Sequence, residues 1–479
     1  MGVVIGVDVG TTKITSLALD VDTGDVLAVS TSPNDARVTS AADEAHGRSE
    51  WNAERILQTT CQSVRDLGQQ LGARRRAVIA LGITGQQHGV VVVDDILRSR
   101  TPFINWQDRR GEEDCPGTGR TFTQEAIHRT GEGAAARTGC RLATGYLGLT
   151  LFWLRLNGLL PSVGTACFIA DWVASQLTGE RPATEPSNAG SSGIFDSAHR
   201  RWDLPSVAAL ELPDGLLPPV READQPFGAI NAAGAAATGL AVGVPVAAAV
   251  GDNQASFIGS VADLEQSVLV NVGTGGQVAA YTDRFLYAPP LETRPFPFGG
   301  NLLVNAGLCG GYSYAVLEKF FRAVGEQLFG LRVGESLFDK MNALAGSVPG
   351  GAGGLECEPL FTGTRHEPER RAVWSGASPE NWTPGHVVRA LLEGMARVFR
   401  DGYEQISQAS GTSRSRLAGA GNGLRENAVL AQCIAERFGL PLALPRHREE
   451  AAVGAALLAT VATGIFPTLA AAARLVRSP

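Results

Sequence analysis

Asp8 stands just ahead of Gly10-Thr11-Thr12-Lys13, at the end of the apolar run Val3–Val9. Past the middle of the chain Asn271 takes the corresponding place, ahead of Gly273-Thr274-Gly275 and after Val268-Leu269-Val270. A buried strand that stops at a Gly-Thr turn offers backbone N–H groups and a hydroxyl at its tip, a concave donor set suited to phosphate. A carboxylate beside such a turn would repel phosphate, so Asp8 calls for Mg2+ between them, held through water. Lys13 adds a positive charge near the phosphate oxygens. The second copy replaces Asp8 by Asn271, an asymmetry that a bound Mg-nucleotide needs and a plain duplication does not. Taken alone, the first copy reads equally well as a hairpin whose turn Asp8 caps; the recurrence tips the balance. Two such turns, one from each half of the chain, describe a nucleotide-dependent phosphotransferase.

Phosphoryl transfer to an alcohol also needs a group that takes the hydroxyl proton as the O–P bond forms. Asp252 is the candidate, in Gly251-Asp252-Asn253-Gln254 between the strand expected over Pro245–Val250 and a helix expected from Ala255. An Asp in that setting is more commonly a helix N-cap, and the two phosphate turns are what favour the base. Gly419-Ala420-Gly421-Asn422-Gly423, ahead of the helical stretch Leu424–Arg437, reads as strand, Gly-rich loop and helix. It lacks the acidic ribose partner of a dinucleotide fingerprint; adenine resting on bare backbone, hydrogen-bonded by Asn427, fits equally well. Gly310-Gly311, opening a helix at Tyr312, would let backbone approach phosphates. Gln86-Gln87-His88-Gly89 and Trp106-Gln107-Asp108-Arg109-Arg110 gather hydroxyl-binding groups with an aromatic face, the equipment of a sugar site. Each also fits a structural histidine or a solvated arginine pair.

The elements that must hold these residues follow an α/β plan. Val3–Val9, Ile14–Leu19 and Val26–Ser30 form a strand meander with a tight turn at Asp22-Thr23-Gly24, Trp51–Leu71 has helical spacing behind an Asn52 cap, and Val78–Thr84 is a buried strand. Helical pieces at Leu147–Leu156 and Thr165–Leu177 follow. The second half repeats the plan with strands at 268–282 and 301–306, helices Tyr312–Val324 and His386–Ser410, a strand-turn-helix at 416–437 and a last helix Ala452–Ala462. With 479 residues, two domains of comparable size are expected, 1–255 and 256–479. The net charge of −7 argues against a general nucleic-acid binder. Seven scattered cysteines without a CxxC pair read as reduced thiols, indicating neither zinc nor disulfides. Ala451–Ala473 carries no charge, is mostly Ala and Gly, and is interrupted by Pro467; packing against a sheet fits it better than membrane insertion. A cytoplasmic protein is expected.

Over essentially its full length the chain resembles the FGGY family of carbohydrate kinases. The ordered motifs that carry the resemblance are IGVDVGTTK, GITGQQHG (Gly82–Gly89), WQDRR (Trp106–Arg110), LTGE (Leu177–Glu180), GDNQAS (Gly251–Ser256), NVGTGG (Asn271–Gly276), GAGNGLREN (Gly419–Asn427) and EEAAVGAA (Glu449–Ala456). The resemblance implies two RNase H-like, actin-like ATPase domains with a nucleotide cleft between them, Asp252 as base, and sugar held mainly by the first domain. It implies ATP and Mg2+ as cofactors, with Asp8 positioning the metal. Gly10, Thr11, Thr12, Lys13, Gly273, Thr274, Gly310 and Gly311 would serve the phosphates, and Gly423 and Asn427 would border adenine. Gln87, His88, Gly89, Asp108, Arg110, Tyr146 and Asn253 would contact sugar. Trp106, Asp108 and Arg110 satisfy the W-x-D-x-R phrase of xylulokinases, but Thr150 in GLTLFWL (Gly148–Leu154) replaces their Lys, and FTGTRHEP (Phe361–Pro368) replaces their L-x-G-E-R-T-P phrase. Both departures are closer to sedoheptulokinases, so sedoheptulose phosphorylated at O7 is expected, with xylulose at O5 second. A non-catalytic ATP- and sugar-binding protein, or a chaperone-like ATPase on this fold, is the reading from another class. A homodimer is compatible with all of these.

Overall fold

The β-branched run Val3–Val9 has no polar face, and the fold explains why: it is the central strand of a sheet covered on both sides. It pairs antiparallel with Lys13–Asp20, which pairs with Val26–Pro33, and on its other edge it pairs parallel with Val78–Gly85. Pro245–Ala247 and Pro226–Ala229 extend the sheet, and Val250–Gly251 pairs with the end of Val78–Gly85. The computed structural model describes residues 2–332, 334–364, 367 and 369–476. The second half repeats the order: Ser267–Val272 at the centre, antiparallel Gly276–Thr282 and then Asn301–Leu308 on one side, parallel Arg416–Ala420 and then Leu442–Ala443 on the other. Glu292–Pro295 adds an edge strand beside Asn301–Leu308. The two Gly-Thr turns thus occupy equivalent places in two like sheets.

Helix Ala53–Leu71 starts at Asn52, whose side chain accepts from the Arg55 N–H, and buries its apolar stripe on the first sheet. Pro384–Ser410 and Ala428–Phe438 cover the second sheet in the same way. Two further helices, Asp252–Ser260 and Glu450–Ala462, lie between the units in a shared core that draws Val4 and Leu17 from one sheet and Leu269 and Val304 from the other. Their close approach depends on small residues. A Cβ on Gly454 would stand 1.8 Å from the Ala255 carbonyl oxygen, and one on Gly6 would stand 1.8 Å from that of Ala452. This packing accounts for the uncharged Ala- and Gly-rich stretch near the C-terminus. Among the described residues no helix is long and apolar enough to cross a membrane.

Several expectations need correction. Thr165–Leu177 is not one helix: Thr165–Cys167 pairs as a strand with Val91–Val93, and the helix begins at Ile169. Pro245–Val250 breaks into two short strands. The helix expected from Ala255 begins at Asp252 with Gly251 as its cap, so the boundary placed near residue 255 falls inside a helix. In the phrase Phe361–Pro368, residues 365, 366 and 368 lie outside the described residues. All seven cysteines are buried and unbridged.

Candidate active site

Three strand ends meet where the first sheet runs out: Val9 and Gly251 each lie beside Gly85. Ligands of open α/β sheets bind outside such carboxyl ends. A cavity of about 1240 Å³ opens here between the two units. Its walls include Asp8, Gln87, His88, Tyr146, Asp252 and Asn253 from the first half, and Asn271, Gly273 and Thr274 from the second. Residues 8 and 274, separated by most of the chain, therefore face one space.

Both turns are braced from behind. Asn34 donates to the Gly10 carbonyl through Nδ2 (2.9 Å) and to the Thr12 carbonyl through its backbone N–H (2.9 Å). The N–H groups of Gly311 and Tyr312 do the same for the carbonyls of Gly273 (2.9 Å) and Thr274 (3.0 Å). Gly311 thus spends its N–H on the second turn, and a Cβ on Gly310 would lie 2.4 Å from the Gly275 carbonyl carbon. Neither lines the cavity; they support the turn that does. Thr11 Oγ1 donates to Gln86 Oε1 (3.1 Å) and accepts from Trp106 Nε1 (2.9 Å), which ties the first turn to the wall of the cavity.

Asp8 Oδ1 is buried and has no hydrogen-bond partner. Burial, with repulsion from Asp252 and Glu449 that Lys13 only partly offsets, pushes the Asp8 carboxyl up to about 8. A buried carboxyl with an orphaned oxygen, facing repulsion from two further carboxylates, fits a divalent cation. Among the described residues no cluster of three His, Cys, Asp or Glu could hold a metal, so water and phosphate would complete its shell. Asp252 is the first residue of its helix. Burial raises its carboxyl to about 6, against the opposing pull of the Asn253 backbone N–H and of Arg294. It is therefore ionised at neutral pH and able to accept a proton.

On the cavity wall, His88 stacks on Tyr146 with centroids 4.3 Å apart and planes at 11°. His88 has φ 75°, a left-handed conformation held by its N–H on Ser191 Oγ (3.1 Å) and by Nδ1 against the Ser191 carbonyl (2.8 Å). That bond to a carbonyl places a proton on Nδ1. Gln87 Nε2 donates to the Ser187 carbonyl (2.8 Å), while Ser187 Oγ accepts from the Gly251 N–H (3.0 Å). One serine thus joins the glutamine to the residue before Asp252.

Other expected site residues lie elsewhere. Asp108 and Arg110 were expected to touch sugar, but Asp108 is fully buried, bonding Arg110 Nε (2.7 Å) and the Ser49 N–H (2.7 Å). Arg110 also reaches Glu50 and lies over the Trp153 ring. The pair is a buried brace, and Trp106 from the same motif lines the cavity instead. Gly89 is off the wall, packed where a Cβ would meet the Ile104 carbonyl oxygen at 2.6 Å. Gly423 packs against Val272, and Asn427 caps its helix by accepting from the Leu430 N–H (2.9 Å); neither lines the cavity. Lys13 is taken up by Glu449. Thr150 is buried in its helix away from the cavity, so the change from Lys there does not act on the wall directly. Gly10 and Thr12 frame the first turn without lining the cavity. Sequence reasoning overlooked Glu292 and Arg294, which do line it. Their alternation along a short strand was the one available signal.

Two models of known domains match the chain: the FGGY family of carbohydrate kinases N-terminal domain over residues 3–259, and its C-terminal domain over residues 315–463. The chain is 31% identical over 437 residues to a glycerol kinase of Trichlorobacter lovleyi, covering 88% of this chain and 83% of that protein. It is 27% identical over 477 residues to an autoinducer-2 kinase of Yersinia pestis, covering 95% and 87%. The crystal structure of a xylulose kinase from Rhodospirillum rubrum superimposes with a TM-score of 0.85 at 25% identity, covering 100% of this chain and 93% of that one.

Proposed function

The chain belongs to the FGGY family of carbohydrate kinases, and from that premise we propose that it phosphorylates the terminal hydroxyl of a ketose, sedoheptulose at O7 first and xylulose at O5 second. It is an ATP-dependent phosphotransferase with an alcohol group as acceptor. The observation that supports the detailed reading is the single cavity on which Asp8, His88, Asp252 and Thr274 meet.

In this reading Asp252 accepts the proton of the attacking hydroxyl, and the N–H groups at the start of its helix keep the carboxylate charged until it does. Asp8 would hold Mg2+ through water, where the ion would supply charge neutralisation to the phosphates. Gly273 and Thr274 receive the phosphates at the second turn; Gly10, Thr11 and Thr12 shape the first turn beside them, Lys13 adds positive charge there when released from Glu449, and Gly310 and Gly311 brace the second turn. Gly423 and Asn427 shape the loop at the adenine end. Gln87, the His88–Tyr146 stack and Asn253 orient the sugar, while Asp108 and Arg110 hold the loop that carries Trp106. The base and most of acceptor binding belong to the first unit, and most of nucleotide binding to the second. We place the protein in the cytoplasm, with a homodimer as its proposed assembly.

The test is a ketose panel with ADP and sugar phosphate measured together. One-to-one formation with sedoheptulose giving the highest kcat/KM supports the reading. A preference for xylulose selects the second substrate, and ADP release indifferent to every sugar leaves only an ATPase.

A further inference from the structure

The edge strand Glu292–Pro295 belongs to the second unit's sheet but is fastened to the first unit. On its sheet side Thr293 and Arg294 pair with Leu303 and Leu302. On its other side the Thr293 N–H donates to the Gly139 carbonyl (2.8 Å), and the Pro295 carbonyl accepts from Gln254 Nε2 (2.8 Å). Gln254 lies two residues beyond Asp252 on the same helix. Gly139 and Gly190 both permit this docking, since a Cβ would stand 2.4 Å from the Thr293 carbonyl oxygen in one case and 2.4 Å from Pro295 Cδ in the other. Arg294 is therefore held between two anchored neighbours, in register with the catalytic helix.

Side chains two apart on a strand share a face. Glu292 and Arg294 share the face that lines the cavity, where Arg294 Nε and Nη2 both donate to Glu292 Oε2 (3.0 and 2.6 Å). Both side chains are nearly buried, at 14% and 10% exposure. An ion pair so placed does no more for stability than apolar residues of the same size would. On a cavity wall it sets a guanidinium, two of whose five N–H groups are spent on Glu292, beside a carboxylate, a donor-and-acceptor set that matches vicinal hydroxyls.

We propose that Glu292 and Arg294 are specificity-determining residues that bind hydroxyls of the acceptor from the second unit's side, so that only a polyol long enough to reach both units is held well. This rests on the ketose-kinase reading and adds to it the residues that measure acceptor length. Gln87 and the His88–Tyr146 stack bind from the first unit, and Glu292 and Arg294 bind from the second. A three-carbon acceptor engages one set, a seven-carbon ketose both.

The experiment compares kcat/KM for sedoheptulose with that for glycerol in the wild type, Arg294→Met and Glu292→Gln, with thermal melts of each. Loss of a charge-assisted hydrogen bond predicts that the sedoheptulose-to-glycerol ratio falls about tenfold or more in each variant, chiefly through KM for the ketose. A ratio unchanged in both variants overturns the proposal and leaves the kinase reading intact. So does a wild type that takes glycerol as readily as sedoheptulose, because nothing then selects length. A wild type that phosphorylates no ketose overturns the ketose reading and the proposal with it, before any variant is made. A fall of both acceptors in parallel with a lowered melting temperature assigns the pair to docking alone and also overturns it.

Discussion

Lys13 and Glu449, 436 residues apart in the chain, form an ion pair in which Nζ lies 2.8 and 2.7 Å from the two carboxylate oxygens. The pair joins the first phosphate turn to the start of the helix wedged between the units, and both partners act electrostatically on Asp8. Lys13 is about half exposed, at 47%, so the contact itself adds little stability, about 0–1 kcal/mol. Its consequence is for phosphate: Glu449 competes for the cation that the nucleotide would use. Glu449→Gln is expected to leave the thermal midpoint unchanged and to lower KM for ATP by about two- to fivefold. Steady-state kinetics with varied Mg-ATP measures this, and an increased KM would show that Glu449 instead orients Lys13 for the phosphates.

Replacing Asp252 by Asn keeps its size and removes its basicity. The expected loss in kcat is roughly 10²–10⁴-fold, with an unchanged melting temperature. The proton acceptor must be charged to work. With its carboxyl at about 6, it is ionised at pH 7.5 and becomes protonated as pH falls through that value. The kcat/KM profile of the wild type should therefore bend downward near pH 6, with Asp252→Asn flat over the same range. Turnover that survives the substitution removes the base assignment.

Glu185 is buried in the first unit, with Oε2 accepting from the Ser187 N–H (2.7 Å) and Oε1 without a hydrogen bond, 3.8 Å from Arg200 Nη2. Burial raises its carboxyl from 4.5 to about 7. A folded-state value above the unfolded one means that the native state binds the proton more tightly. Its contribution is thus complete below about pH 4.5 and is lost as pH rises through about 7. Asp171 is raised in the same direction by burial and by Glu185. Urea unfolding of wild type and Glu185→Gln at several pH values should show the difference between them shift by on the order of 2–3 kcal/mol across this window, in favour of the variant at high pH. A pH-independent difference would place the charge elsewhere.

The crossing of Asp252–Ser260 and Glu450–Ala462 has no room for a side chain at Gly454. Gly454→Ala must push the helices apart against the Ala255 backbone, at a cost of roughly 1–3 kcal/mol or more. Because Asp252 begins one of these helices, kcat should fall together with the melting temperature. Differential scanning fluorimetry alongside kinetics checks the coupling, and a stable variant with normal kcat would mean that the units can separate here without cost to the site.

Much of this molecule was legible in the order of its residues. Apolar runs bounded by tight turns located the meanders, and 3.6 spacing located the longer helices, because burial imposes both locally. The two Gly-Thr turns and Asp252 could be read because their chemistry is carried by a few consecutive residues. The split of Thr165–Leu177 into a strand and a helix could not, because Thr165–Cys167 becomes a strand only by finding Val91–Val93 as its partner.

The site divides along the same line. Asp108 and Arg110 have the residue types of a sugar site, yet a through-space bond to the buried Ser49 N–H and a contact with Glu50 make them a brace, while Trp106 beside them reaches the cavity. Gly310 and Asn427 had plausible nucleotide chemistry but are occupied by backbone packing and helix capping. Glu292 and Arg294 carry no motif at all, and they matter only because one edge strand docks across the boundary between two sheets. Local order tells which groups exist and which turns they sit on. Which of those groups share one cavity depends on contacts between residues hundreds of positions apart, and no local pattern encodes such a distance.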